Sequence, residues 1–130
     1  MICLDTTFII DMLKRKPECI NKLNLLIGEE LATTEVNYFE ILFGIFKRHD
    51  SSKKELDLIN EFFETINVLP LDHLSSLKAA QVAGNLSKQG LLIGTNDSLI
   101  AGICLANNCR IITRDTEHFL RIKGLKVERY

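Results

Sequence analysis

No apolar stretch in this 130-residue chain approaches the roughly 20 residues that a membrane-spanning helix needs. There is also no basic run ahead of the first apolar residues. Met1-Ile2-Cys3-Leu4 meets Asp5 at once, so no signal peptide is expected. Both absences point to a cytoplasmic protein that uses no membrane. The four cysteines make no Cys-x-x-Cys pair, which argues against a zinc site or a redox motif. Cys3, Cys19, Cys104 and Cys109 are therefore expected to be free, buried thiols. Repeats, low-complexity tracts and linkers are missing too, and residues 1–130 are expected to form a single domain.

An excess of one charge is likewise lacking, with 16 basic residues against 17 acidic ones and a net charge of −1. This is not a protein that coats nucleic acid by bulk charge. Committing four of the 17 acids to a metal, however, leaves 13 against 16 bases. Those bases cluster at Lys14-Arg15-Lys16, Lys47-Arg48, Lys53-Lys54 and along Arg110, Arg114, Arg121, Lys123 and Lys126. A hydrophobic content of 46% supplies a real core.

Short apolar runs alternate with helical patterns. Residues 2–4 suit a buried strand. Asp5-Thr6-Thr7 can cap a helix carrying Phe8, Ile9, Met12 and Leu13, which Pro17 must stop. Ile20, Leu23, Leu26 and Ile27 predict a second helix ending at Gly28. Residues 31–33 read as a strand feeding an apolar helix over about 36–47. Ser52-Lys53-Lys54-Glu55 is a capping box that opens a helix with Leu56, Ile59, Phe62 and Phe63 on one face. Residues 66–69 predict a third strand. A helix follows over about 73–88, with Leu74, Leu77, Ala80, Ala83 and Leu86 in steps of three, and Gly90 ends it. A loop spans 91–96, a buried helix 99–106, and strands 110–113 and 125–128. The alternation implies an α/β fold whose mainly parallel sheet is covered on both faces. Ligands of such sheets bind outside the carboxyl ends of the strands, where the strand order switches.

Four acids interrupt or close apolar runs: Asp5, Glu40, Asp97 and Asp115. A carboxylate so placed is costly unless it is paired or exposed. Only Arg114 is a comparably placed base nearby. A divalent cation fits, and an all-carboxylate site suits Mg²⁺ or Mn²⁺. Asp5 and Asp97 could also serve as helix caps, and Asp115 as a turn residue. Glu40, flanked by Tyr38, Phe39, Ile41, Leu42 and Phe43, is the hardest to explain structurally. Glu35 precedes its helix body and Asp11 lies on the polar side of the first helix, so neither is expected in the site. Glu117 is ambiguous. No histidine is placed as a general base: His49 and His73 lie among polar residues, and His118 is alone.

Leu4-Asp5-Thr6-Thr7-Phe8-Ile9-Ile10-Asp11, Phe39-Glu40-Ile41-Leu42-Phe43-Gly44, Thr95-Asn96-Asp97-Ser98-Leu99-Ile100-Ala101 and Ile111-Ile112-Thr113-Arg114-Asp115 with Phe119, in this order, resemble the PIN-domain ribonucleases. Among these they resemble the VapC-type toxins of toxin–antitoxin pairs. Thr7 stands where the family usually has Asn, and keeps a hydroxyl for the first aspartate. The resemblance implies a three-layer α/β/α domain with about five strands that cleaves RNA with Mg²⁺ or Mn²⁺. It maps Asp5, Glu40, Asp97 and Asp115 onto the family's acidic cluster. Asp5 and Asp97 would be the principal metal ligands, with Glu40 and Asp115 secondary or water-mediated. Arg114 or the Lys14–Lys16 run would place the RNA backbone. A cognate antitoxin and a homodimer are the implied protein partners. The alternative is a non-catalytic PIN-like module that binds RNA or a partner, and intact acids at all four positions argue against it. A phosphoaspartate enzyme would also put Asp after the first strand, but Thr7 replaces the second acid that a haloacid-dehalogenase-like phosphatase wants.

Overall fold

The short apolar runs become strands of one sheet in the computed structural model, which describes residues 1–130. They are β1 (Ile2–Leu4), β2 (Leu31–Thr34), β3 (Asn67–Leu69), β4 (Arg110–Thr113) and β5 (Lys126–Arg129). Every pairing is parallel and the order is β3-β2-β1-β4-β5. Helices α1 (Thr6–Leu13), α2 (Pro17–Leu25), α3 (Glu35–Phe46), α4 (Lys53–Thr65), α5 (His73–Lys88), α6 (Thr95–Ala106) and α7 (Thr116–Phe119) connect them.

Successive strand residues face opposite sides of a sheet, and here that alternation splits the core in two. Ile2, Leu4 and Ile112 join Phe8, Ile9, Cys19, Ile41, Ile45 and Ile59 on one side. Cys3, Ala32 and Ile111 join Val82, Leu86, Ile100, Ile103 and Phe119 on the other. The result is the three-layer α/β/α arrangement. All four cysteines are free and buried, and no helix is long and apolar enough to cross a membrane. At Gly102 an added Cβ would lie 2.5 Å from the Ala79 nitrogen and the Ser75 carbonyl oxygen. Helix α6 therefore rests directly on the backbone of α5, which fixes where the first turn of α6 projects.

The structure corrects several sequence expectations. Pro17 does not merely stop α1; it occupies the first turn of α2, where its missing N–H costs nothing. Ile20 and Ile27 face solvent while Cys19 and Leu26 are buried. On α5 the inward face is Ser75, Ala79, Val82 and Leu86, and Leu74 and Leu77 are exposed. A step of three drifts round a helix by about 60° each time, whereas alternating steps of four and three hold one face. Helix α6 begins at Thr95, earlier than expected, and α7 is an addition. In the capping box, Ser52 Oγ accepts from the Glu55 N–H at 3.2 Å, but the Glu55 carboxylate pairs with Arg48. The switch in strand order lies between β1 and β4, and Asp5 and Asp115 follow those two strands.

Candidate active site

Asp5 stands at the N-cap of α1 with extended backbone, yet its side chain caps nothing. Its carboxylate, in a residue 5% exposed, is held by neutral donors. Oδ2 accepts from Thr113 Oγ1 at 2.7 Å and Thr7 Oγ1 at 3.0 Å, and Oδ1 accepts from Asn37 Nδ2 at 3.2 Å. Thr7 thus supplies the hydrogen bond expected of it. Burial pushes the Asp5 pKa above the ordinary carboxylate value; bonds from Thr113, Thr7 and the Thr6 backbone oppose this, and the charge of Asp97 adds to it.

Glu40 lies half-buried on α3 and accepts from Thr6 Oγ1 at 2.8 Å. Its pKa is also raised, first by burial and then by the charges of Asp5 and Asp97, against the Thr6 and Asn96 hydrogen bonds. Asn37, three residues earlier on α3, is wholly buried and ties the two acids together. Its amide nitrogen donates to Asp5 and to Thr6 Oγ1, while its Oδ1 accepts from Thr34 Oγ1 at 2.7 Å. Sequence reasoning missed Asn37, although its spacing from Glu40 puts both on one side of a helix.

Asp97 projects from the first turn of α6. Its Oδ2 is 2.8 Å from His118 Nδ1, which also lies 3.4 Å from Asp115 Oδ2. The backbone N–H of Asp115 donates to Thr113 Oγ1 at 3.0 Å, so the same threonine braces both Asp5 and Asp115. One ligand atom each from Asp97, Asp115 and His118 lies within 4.8 Å of the others, close enough to share a cation. His118 is therefore not alone, contrary to the sequence expectation. The signal was available: His118 follows Asp115 by three residues, one helical turn.

The remaining acids go elsewhere. Asp11 is not on a polar face: its side chain is 2% exposed and bound by Lys16 Nζ at 2.8 Å, Arg114 Nη2 at 2.7 Å and Tyr130 Oη at 3.0 Å. Its burial raises the pKa, but the Lys16 and Tyr130 hydrogen bonds and the Arg114 and Lys16 charges outweigh that and hold it below the usual value. Arg114 and Lys16 are thereby engaged with Asp11 rather than standing free at the rim. Glu35 is exposed, and Glu117 pairs with Arg121 at 3.1 Å.

Taken together, a buried carboxylate with no cationic side chain among its hydrogen-bond partners, a second whose proton affinity is raised by burial and by neighbouring acids, and an Asp–His–Asp group sit at the reversal in strand order. Hard oxygen donors dominate, and the arrangement can neutralise itself by taking up a divalent cation.

The chain as a whole also resembles known proteins. Residues 2–125 match the PIN domain family. The chain is similar to Ribonuclease VapC1 of Haemophilus influenzae (strain R2866), at 32% identity over 127 residues that cover 95% of this chain and 92% of the relative. It is also similar to the tRNA(fMet)-specific endonuclease VapC of Shigella flexneri, at 28% identity over 125 residues covering 96% and 94%. Among solved structures, VapBC-1 from nontypeable Haemophilus influenzae superposes with a TM-score of 0.86 at 31% identity, covering 99% of this chain and 98% of the other.

Proposed function

The chain belongs to the PIN domain family, and from that premise we propose that it is the endoribonuclease toxin of a toxin–antitoxin pair, cutting RNA with Mg²⁺ or Mn²⁺ at Asp5, Glu40, Asp97 and Asp115. The observation that carries the site is Asp5, buried with other acids and no base beside it. Asp5 and Asp97 would be the principal ligands of the ion, and Glu40 and Asp115 the secondary or water-mediated ones. When bound, the ion offsets negative charge on the scissile phosphate and acidifies water.

The chain's own groups do the rest. Thr7, Thr113 and Asn37 fix both oxygens of Asp5. His118 sets the rotamers of Asp97 and Asp115, as outer partners of metal ligands commonly do. Glu40, held by Thr6 Oγ1, accepts a proton from the attacking water as the water oxygen bonds to phosphorus and the bond from phosphorus to the leaving oxygen breaks, the leaving oxygen taking a proton from solvent.

The partners follow from the surface. A groove between α1, α3 and α4 is floored by Leu13, Ile41, Ile45 and Ile59 and reaches Glu40. Phe39, Phe43 and Phe46 stand exposed on α3. An antitoxin segment with an apolar face fits this groove, and a basic side chain at its end would reach the acids in place of the ion's charge. Exposed Leu74 and Leu77 on α5 suit a second copy of the chain. A cytoplasmic location is consistent with this reading.

The test is to incubate pure protein with a mixed RNA pool that includes transfer RNA, with Mg²⁺, with Mn²⁺ and with chelator, and to map the cut ends. Discrete cuts that need the ion are expected. Undiminished cleavage in excess chelator would overturn the metal chemistry.

A further inference from the structure

A second concavity lies on the far side of the sheet from the α1–α3–α4 groove, and the site described above does not use it. It has a volume of about 360 Å³ and is bounded by the C-terminal half of α5 and the turn that follows α7. Its floor is apolar, made by Val82, Leu86 and Ile122, all of which are buried. Its rim is cationic: Lys88 and Lys123 flank it with no acidic partner within ion-pair distance, and Arg121, paired with Glu117, also lines it.

Arg121 is held in place from two directions. Nη1 donates to the Leu92 carbonyl at 3.2 Å and Nη2 to Glu117 at 3.1 Å. A guanidinium carries five N–H donors, so donors remain for an incoming anion. These anchors also tie the cavity to the acid cluster. Leu92 precedes α6, whose first turn carries Asp97, and Glu117 adjoins His118 on α7.

An apolar floor the size of a small-ligand pocket, beneath a rim that carries two unpaired lysines, suits a nucleotide with its base against the floor and its phosphate at the rim. Near the acid cluster, two of the bases are already committed. Asp11 engages Arg114 and Lys16, and the acids of the site repel phosphate. We propose that this cavity is a subsite for an unstacked nucleotide of the RNA substrate, its base on Val82, Leu86 and Ile122 and its phosphate between Lys88, Arg121 and Lys123. The inference rests on the ribonuclease reading and adds to it how an uncut part of the RNA is gripped.

The test uses the full-length protein in chelator, with binding of labelled transfer RNA and of a labelled unstructured RNA followed by anisotropy across a salt series. Lys88→Ala/Lys123→Ala should weaken binding roughly tenfold and flatten the salt dependence by about 0.7 per lysine removed. Lys53→Ala/Lys54→Ala, which removes two charges from α4 on the other side of the sheet, should change affinity less than about twofold. Asn85→Leu, at an exposed rim position, crowds the cavity without removing charge or adding a stacking ring, and should weaken binding too. With metal restored, the Lys88/Lys123 variant should raise KM and leave kcat unchanged. Wild-type affinity and salt slope in both the lysine and the Asn85→Leu variants, with wild-type RNA cleavage intact, would overturn the subsite alone. A wild-type protein that neither binds nor cuts any RNA would overturn the ribonuclease reading and the subsite together.

Discussion

Asp5 and Asp11 are six residues apart, both buried, and both adjoin apolar side chains, yet the fold treats them in opposite ways. Asp11 receives Lys16, Arg114 and Tyr130 and is held ionised. Asp5 receives two hydroxyls and an amide, faces Asp97, and is pushed toward the protonated form. The first is a satisfied structural charge. The second has been oriented but not neutralised, an arrangement open to a bound cation. The difference between an anchor and a site lies in the partners, since the burial is shared.

The largest break in that comparison comes from the chemistry. Asp5→Asn or Asp97→Asn should lower metal-dependent RNA cleavage by about 10²–10³-fold, with circular dichroism unchanged. Asp11→Asn should do the reverse: the fold loses about 2–4 kcal/mol in urea denaturation, while the enzyme still cuts where it remains folded. The lower end of the buried-pair range applies because Lys16 and Arg114 are 36% and 47% exposed and water can replace part of what they lose.

A smaller effect is expected at His118. His118→Ala removes the group between Asp97 and Asp115 and should weaken Mn²⁺ affinity or activity about 10–100-fold. Glu35→Gln, on the same helix as Glu40 but exposed, should leave cleavage unchanged. A strong loss there would mean that the working face of α3 is not the one that carries Asn37 and Glu40.

The pH dependence of stability sharpens the contrast in the metal-free protein. A carboxyl whose folded pKa is raised binds more protons folded than unfolded, so its contribution to stability is lost as pH rises from its ordinary value through the raised one. Asp5 starts from 3.8, and Asp5→Asn should therefore be more stable than the wild type at neutral pH and converge on it in acid. For Asp11, with its folded pKa lowered, stability is gained above the unfolded value and lost as pH falls through the folded one. Asp11→Asn should therefore be less stable at neutral pH and converge from below. Thermal melts in chelator from pH 3 to 7 measure both, and parallel curves for the two variants would erase the distinction.

The sequence made the strands legible because a parallel sheet buried on both faces favours short apolar runs, and Ile2–Leu4 and Ile111–Ile112 are such runs. It placed Asp5 and Asp115 at the strand ends for the same reason. It failed where the partner is distant in the chain. Tyr130 and Arg114 reach Asp11 from more than a hundred residues away, so a residue that looked like the polar side of a helix is a buried anchor. His118 looked alone because Asp97 is 21 residues off, and α7, at four residues, is too short to leave a periodic signal. On α5 the step of three was followed although no single helix face keeps that step.

The most direct test of the account is a calorimetric Mn²⁺ titration of the wild type, Asp5→Asn and Glu35→Gln in the absence of RNA. The account predicts binding by the wild type and Glu35→Gln with the same stoichiometry and affinity, and binding weakened by at least about tenfold in Asp5→Asn. Wild-type Mn²⁺ binding by Asp5→Asn would contradict it, because the buried acid would then not be waiting for a cation.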